Sequence, residues 1–174
     1  MTTCYSFPVF ADENSRLIIL GSMPGRASLD AGRYYAHPRN QFWPIIGAIT
    51  GTSAQAPYEE RVASLRESGI ALWDVLQSCV RPGSLDSDIS DEKPNDFVKL
   101  FAAYPGITHV FFNGGKAENS FRRHVAPHLE TRLEFTRLPS TSPAHAGMSF
   151  EKKMAAWQVI NPPAVRQKGR RAPA

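Results

Sequence analysis

The residues able to do chemistry in this chain of 174 residues fall into two dense stretches and a few single positions. The first stretch, Gly21-Ser22-Met23-Pro24-Gly25, is a tight turn whose glycines let backbone amides approach a carbonyl or an anion closely. It reads as a ligand cradle or as a plain strand-to-helix connection. The second, Tyr34-Tyr35-Ala36-His37-Pro38-Arg39-Asn40-Gln41-Phe42-Trp43-Pro44, sets aromatic faces beside hydrogen-bonding groups. Together they suit a flat ligand the size of a nucleobase. Asn40 carries two readings. Its carboxamide caps the helix that follows, or it accepts from a water and donates to a substrate, positioning that water for attack.

Asp74 ends the apolar run Ile70-Ala71-Leu72-Trp73, where it either caps the next segment or lines a pocket. Asn113 stands before the turn Gly114-Gly115. Ser140-Thr141-Ser142-Pro143-Ala144-His145 is dense in hydroxyls, which make a capped turn or hold phosphates and sugar. In the second case His145 acts as a neutral donor or, protonated, steadies a leaving anion. His109, His124 and His128 read as surface or packing residues.

The same inventory excludes several chemistries. The first turn lacks the third glycine of a dinucleotide fingerprint, and it lacks the lysine and hydroxyl of a triphosphate-binding loop. No Ser, His and Asp spacing suggests acyl transfer. The histidines form no metal set, so neither metal nor cofactor is expected. Cys4 and Cys79 are too few for a four-thiolate cluster and read as buried or incidental thiols. The pocket motifs contain no lysine, so no Schiff base is expected.

These groups need a scaffold to bring them together. Leu17-Ile18-Ile19-Leu20 is apolar at every position, the pattern of a strand covered on both faces of a parallel sheet. Periodicity and caps predict helices over 41–49 and 58–67, the latter closed by Gly69, then a strand over 70–75, a polar loop over 81–92 and a helix over about 95–103. A strand over 108–113, a helix over 116–124, a strand over 133–138 and a helix over 149–160 follow. Phe150, Met154 and Trp157 share one side of that helix, and Pro162-Pro163 ends it. The alternation predicts an α/β fold, a three-layer α/β/α sandwich around a central four-stranded, mostly parallel sheet. The first turn, Asp74, Asn113 and the hydroxyl loop then all fall at the carboxyl ends of strands, where such sheets bind ligands.

One domain is expected over residues 1–163, with a basic tail over 164–174. Arg166, Lys168, Arg170 and Arg171 lie in that tail and account for the whole net charge of +4. The tail reads as flexible and without a role, or as a phosphate contact. No run is long and apolar enough to cross a bilayer, and nothing resembles a leader, so a cytoplasmic protein without membrane contact is the expectation.

At these motifs the chain resembles the uracil-DNA glycosylase superfamily, over nearly the whole domain. It looks closest to the hypoxanthine-DNA (DNA-deoxyinosine) glycosylase branch, to which Gly69 to Leu76 followed by Arg81-Pro82-Gly83-Ser84-Leu85-Asp86-Ser87 is particularly similar. The mismatch-specific uracil enzymes are next nearest. They carry a water-positioning Asn in the first motif, where this chain has Met23, which cannot hold a water. The resemblance implies that Asn40 is the catalytic residue and that Tyr35 stacks on a base flipped out of DNA. It implies that Gly21, Ser22, Met23, Pro24 and Gly25 form a backbone cradle, with Asp74 and Asn113 as further base contacts. His37 and the loop of Ser140, Thr141 and Ser142 are implied to hold the strand. Ala144 stands where the mismatch enzymes have a Leu wedge, so His145 or Met148 is expected to fill the gap. The absence of cysteine ligands argues against the iron–sulfur branches.

The implied activity is monofunctional hydrolysis of the N-glycosidic bond of a deaminated base, hypoxanthine first, in base-excision repair by a monomer acting on DNA. A mismatch-type uracil glycosylase and a non-catalytic module binding nucleotides or DNA are the alternatives.

Overall fold

The computed structural model describes residues 2–160. The basic tail and the Pro162-Pro163 stop lie outside the described residues. After a short strand β1 (Thr3–Tyr5), the apolar run forms β2 (Leu17–Gly21), buried at all five positions. It lies centrally because both its faces must be covered. On one side it pairs in parallel with β3 (Ile70–Asp74). On the other it pairs with β6 (His109–Asn113), which in turn pairs with β7 (Glu134–Leu138). The order β3-β2-β6-β7 makes a four-stranded, fully parallel sheet, as the alternation predicts.

Successive side chains of β2 point to opposite faces, and each face carries its own core. Ile18 and Leu20, with Val110 and Phe112, pack under α4 (Phe97–Ala103) and α5 (Gly115–His124). Leu17 and Ile19, with Leu72 and Phe111, pack under α2 (Phe42–Thr50), α3 (Tyr58–Glu67) and α6 (Phe150–Trp157). This is the three-layer sandwich. Each fully buried Ile, Leu or Phe contributes about 1.5–3 kcal/mol. Trp157 is completely buried, and its indole N–H donates to Pro139 O at 2.9 Å, tying the last helix to the loop after β7.

Several features depart from the sequence-based expectation. A short helix α1 (Arg26–Ala31) opens straight after the first glycine-rich turn and closes at Gly32, whose φ of 63° a side chain rarely adopts. A second, antiparallel sheet in the order β1-β4-β5 is added by β4 (Leu76–Val80) and β5 (Ser90–Pro94). The expected polar loop over 81–92 is therefore shorter and contains a 3-10 turn, Asp86–Asp88. The strand expected over 70–75 ends at Asp74, and the final helix stops at Trp157 rather than 160. No described helix is long and apolar enough to cross a membrane.

Candidate active site

Register brings the polar strand ends level. Gly21 pairs with Asp74, and Asn113 pairs with Leu138 immediately before the hydroxyl loop. Above these ends opens a cavity of about 450 Å³, a volume typical of small-ligand sites. Gly21 to Gly25 form one wall, and Tyr35, His37 and Asn40 a second. Asp74 and Asn113 lie at the base, with Ser140, Thr141, Ser142 and His145 opposite.

The first wall is clamped from behind. Arg81, just past β4, is 1% exposed and its Nη2 donates to Pro24 O at 2.6 Å. The Ser22 hydroxyl donates to Asp86 Oδ1 at 2.7 Å, and Arg26 N donates to Ser84 Oγ at 2.9 Å. Gly21 is required here by space: a Cβ would sit 2.6 Å from Asp74 Oδ1 and 3.1 Å from the Tyr35 hydroxyl.

Tyr35 holds a left-handed backbone, φ 53°, unusual for a residue with a side chain. Its ring stacks on Phe42 at 3.9 Å between centroids with 19° between planes. Phe42 is wholly buried beneath it and does not border the cavity, whereas Tyr35 does, together with Tyr34. Asn113 Nδ2 donates to the Tyr35 hydroxyl at 3.1 Å and to the Thr141 hydroxyl at 3.0 Å, while Oδ1 accepts from Thr141 N at 2.9 Å. Burial, and then the charge of Asp74, pushes the Tyr35 phenol well above its ordinary range and keeps it neutral.

Both readings of Asn40 find support in the geometry. Oδ1 accepts from Phe42 N at 2.9 Å, satisfying an open donor at the start of α2, although the boundary residue itself is Gln41. One bond leaves the oxygen a second lone pair, and no described group accepts from Nδ2. The cap thus fixes a carboxamide that still faces the cavity. Asn40 N donates to His37 O, and His37 Nδ1 accepts from Arg39 N at 3.1 Å, which places the ring proton on Nε2. Gln41 N donates to Thr141 O at 3.0 Å and joins this segment to the opposite wall.

The hydroxyl loop is braced by its own side chains. Ser140 Oγ accepts from Ser142 N, and Ser142 Oγ from Ala144 N. Lys153 Nζ, on α6, donates to His145 O at 2.7 Å from a buried position.

Asp74 is the outlying group electrostatically. It is 4% exposed, and its Oδ2 has no hydrogen-bond partner. Burial foremost, and then the charge of Asp86, pushes its carboxyl up to about 7, against the opposing pull of Arg81.

This architecture matches known proteins over nearly its whole length. The sequence pattern of the Uracil DNA glycosylase superfamily matches residues 7–161. The chain belongs to the uracil DNA glycosylase superfamily. Over 155 residues the glycosylase is 36% identical to a hypoxanthine DNA glycosylase of Methanosarcina acetivorans, covering 88% of this chain and 95% of that one. Over 112 residues it is 41% identical to the hypoxanthine DNA glycosylase of Methanosarcina barkeri, covering 64% and 71% respectively. A solution NMR structure from Methanosarcina acetivorans, described under the name uracil DNA glycosylase, superposes with a TM-score of 0.77 at 32% identity. It covers 97% of this chain and 100% of its own.

Met148 alone among the expected site residues does not border the cavity of the glycosylase. Residues outside that expectation border it too. Leu85 and Asp86 reach the rim from the segment read as a polar loop, and Lys116 reaches it from α5. Lys116 Nζ is engaged by Glu92, which also accepts from Ser120 and bonds His124. His109 stacks on Phe111, His124 sits in the Glu92 cluster and His128 is exposed, as surface and packing residues. Cys4 and Cys79 are buried free thiols.

Proposed function

We propose that this glycosylase releases hypoxanthine from DNA as a monofunctional enzyme. The target nucleotide leaves the duplex at a cost of a few kcal/mol, least for a mispaired base, and enters the cavity above the strand ends. Its base stacks on the free face of Tyr35, and the backbone of Ser22 to Gly25 receives its carbonyl edge. Departure of the base builds positive charge at the sugar, as in glycoside hydrolysis generally, so a positioned water completes the reaction without a covalent intermediate. Asn40 holds that water through the lone pair the cap does not use. His37 Nε2 and the hydroxyls of Ser140 and Ser142 hold the strand. Lys116 is occupied by Glu92, which supports hydrolysis over Schiff-base chemistry.

The observation that carries this reading is that Asn40 and Tyr35 border one base-sized cavity and that their segment is tied at both ends to the hydroxyl loop, through Gln41 to Thr141 and through Asn113 to Thr141. A panel of oligonucleotides holding deoxyinosine, deoxyuridine or deoxyxanthosine, single-stranded and mispaired, tests it. Fastest release of hypoxanthine is expected, with no borohydride-trapped adduct. Preferential uracil release replaces the substrate, and binding without release of any base leaves only a binding module.

A further inference from the structure

We propose that Asp74 is the general acid of the reaction, passing a proton from its neutral carboxyl to a ring nitrogen of the leaving purine. The inference rests on the reading of the substrate as hypoxanthine in DNA and adds to it the means by which that base departs.

The placement is constrained from three sides. Asp74 ends β3 in register with Gly21, and its Oδ1 lies so near the Gly21 backbone that no Cβ fits between. Its main-chain carbonyl accepts from Asn95 Nδ2 at 2.8 Å. Asp74 lines the cavity and its Oδ2 is buried without a partner, and an orphaned polar atom carries a desolvation penalty until something pairs with it.

The charges around it favour the neutral acid. Asp86 faces it from the 3-10 turn, bonded to Ser22, and Arg81 faces it from the segment after β4, with Nη2 bonded to Pro24 O and Nε and Nη1 buried without a partner. Tyr34 and Tyr35, from the connection between α1 and α2, are phenols kept neutral first by burial and then by Asp74 itself. His37 and Lys116 stand at the rim, the lysine neutralised by Glu92. Ionised Asp74 and Asp86 would outweigh Arg81, and a net negative floor opposes an anionic leaving base. Burial and Asp86 lift the Asp74 carboxyl to about 7, so the acid is still substantially protonated at neutral pH.

The chemistry then selects purines. As the C1′–N9 bond breaks, its electron pair passes to the purine, and the Asp74 proton moves to N7 or N3, whose lone pairs lie in the ring plane. The base leaves neutral. Water bonded to Asn40 forms the C1′–O bond and yields its proton through solvent, returning Asp74 to the acid form. Neutral uracil has no comparable ring lone pair, only carbonyl oxygens, so this step assists hypoxanthine more.

Single-turnover release from a deoxyinosine oligonucleotide between pH 5 and 9, for wild type and Asp74→Asn, reads the step directly. Wild type should run on a plateau below about pH 7 and fall tenfold per unit above it. The isosteric variant should be at least about 100-fold slower on the plateau and lack the alkaline limb. An Asp74→Asn enzyme with the wild-type rate, or a slower one retaining the limb, overturns the proposal. Wild type with 7-deaza and 3-deaza deoxyinosine gives a second reading independent of the variant's folding. The analogue missing the protonated nitrogen should lose about 100-fold, and equal release of both at the parent rate overturns the assignment. Wild type that releases no hypoxanthine at any pH defeats the substrate reading and this inference together. Activity without the limb defeats this inference alone.

Discussion

Asn113 and Tyr35 are joined by a hydrogen bond of 3.1 Å from the carboxamide to the phenol, and the same nitrogen reaches the Thr141 hydroxyl at 3.0 Å. A residue read from the sequence as a base contact is thus committed to bracing two walls of the cavity against each other. Tyr35 needs the brace because its backbone sits at φ 53°, which surrounding structure must hold in place.

Asn113→Ala should therefore act through position rather than contact. The Tyr35 hydroxyl and Thr141 N lose partners, at a cost of about 1–3 kcal/mol for each group left buried and unpaired. The urea midpoint should fall, and base release should slow by roughly 10- to 100-fold as the stacking face and hydroxyl loop drift. A variant as stable and as fast as wild type would show the brace to be idle.

Asn40 separates cap from catalysis by choice of replacement. Asn40→Ser retains an oxygen for the start of α2, so its stability should lie within a few tenths of a kcal/mol of wild type, whereas Asn40→Ala should lose about 0.5–2 kcal/mol. Both should lose base release while still binding the duplex, because a hydroxyl on a shorter stem cannot hold the water. Turnover by the serine variant near the wild-type rate would reduce Asn40 to a cap.

The elements that carry these residues were legible where burial writes a pattern. β2 carries four successive apolar residues and β6 three, Val110 to Phe112, and α2 is announced by Asn40 and an apolar face. β5, Ser-Asp-Glu-Lys-Pro, was not. It lies at the edge of its sheet, paired with β4 only, and its polar side chains write no period. Arg81, Leu85 and Asp86 stand in the segment that resembles the hypoxanthine branch, but the sequence assigns none of them a role. The places of Leu85 and Asp86 at the cavity, and of Arg81 behind the first turn, follow from where β4 carries the chain after Asp74, a tertiary fact that local composition does not show. Asn40 and the aromatic cluster stand out by residue type, the resemblance assigns the stacking face to Tyr35, and the structure supplies the physical links between them.

The raised carboxyl of Asp74 has a consequence for stability that is separate from rate. Its ordinary value is 3.8 and its folded value about 7, so between these limits the native protein holds a proton the unfolded chain has released. Stability from this group is therefore whole below about pH 4, declines by at most about 1.4 kcal/mol for each pH unit crossed in the window, and is lost above 7. Asp74→Asn cannot ionise. The variant should match wild type near pH 4 and exceed it at pH 8, as urea midpoints at the two pH values will show. An equal difference at both values would mean that Asp74 does not change charge in this window.

Leu85 also borders the cavity. It is 52% exposed, large and apolar, and it is held between two anchored neighbours, Ser84 on Arg26 N and Asp86 on the Ser22 hydroxyl. An exposed leucine presented this firmly beside a cavity suits insertion between base pairs, filling the gap that a flipped nucleotide leaves. Ala144 is too short for that, and Met148 does not border the cavity. Leu85→Ala should leave the urea midpoint within about 0.5 kcal/mol, since little area is buried in the free protein. Release of hypoxanthine from duplex DNA should slow about tenfold, with 2-aminopurine beside the lesion showing less unstacking. Release from a single strand, which has no gap to fill, should be unchanged. A loss of equal size on both substrates would place Leu85 in the base pocket, and no loss on either would leave His145 to fill the gap.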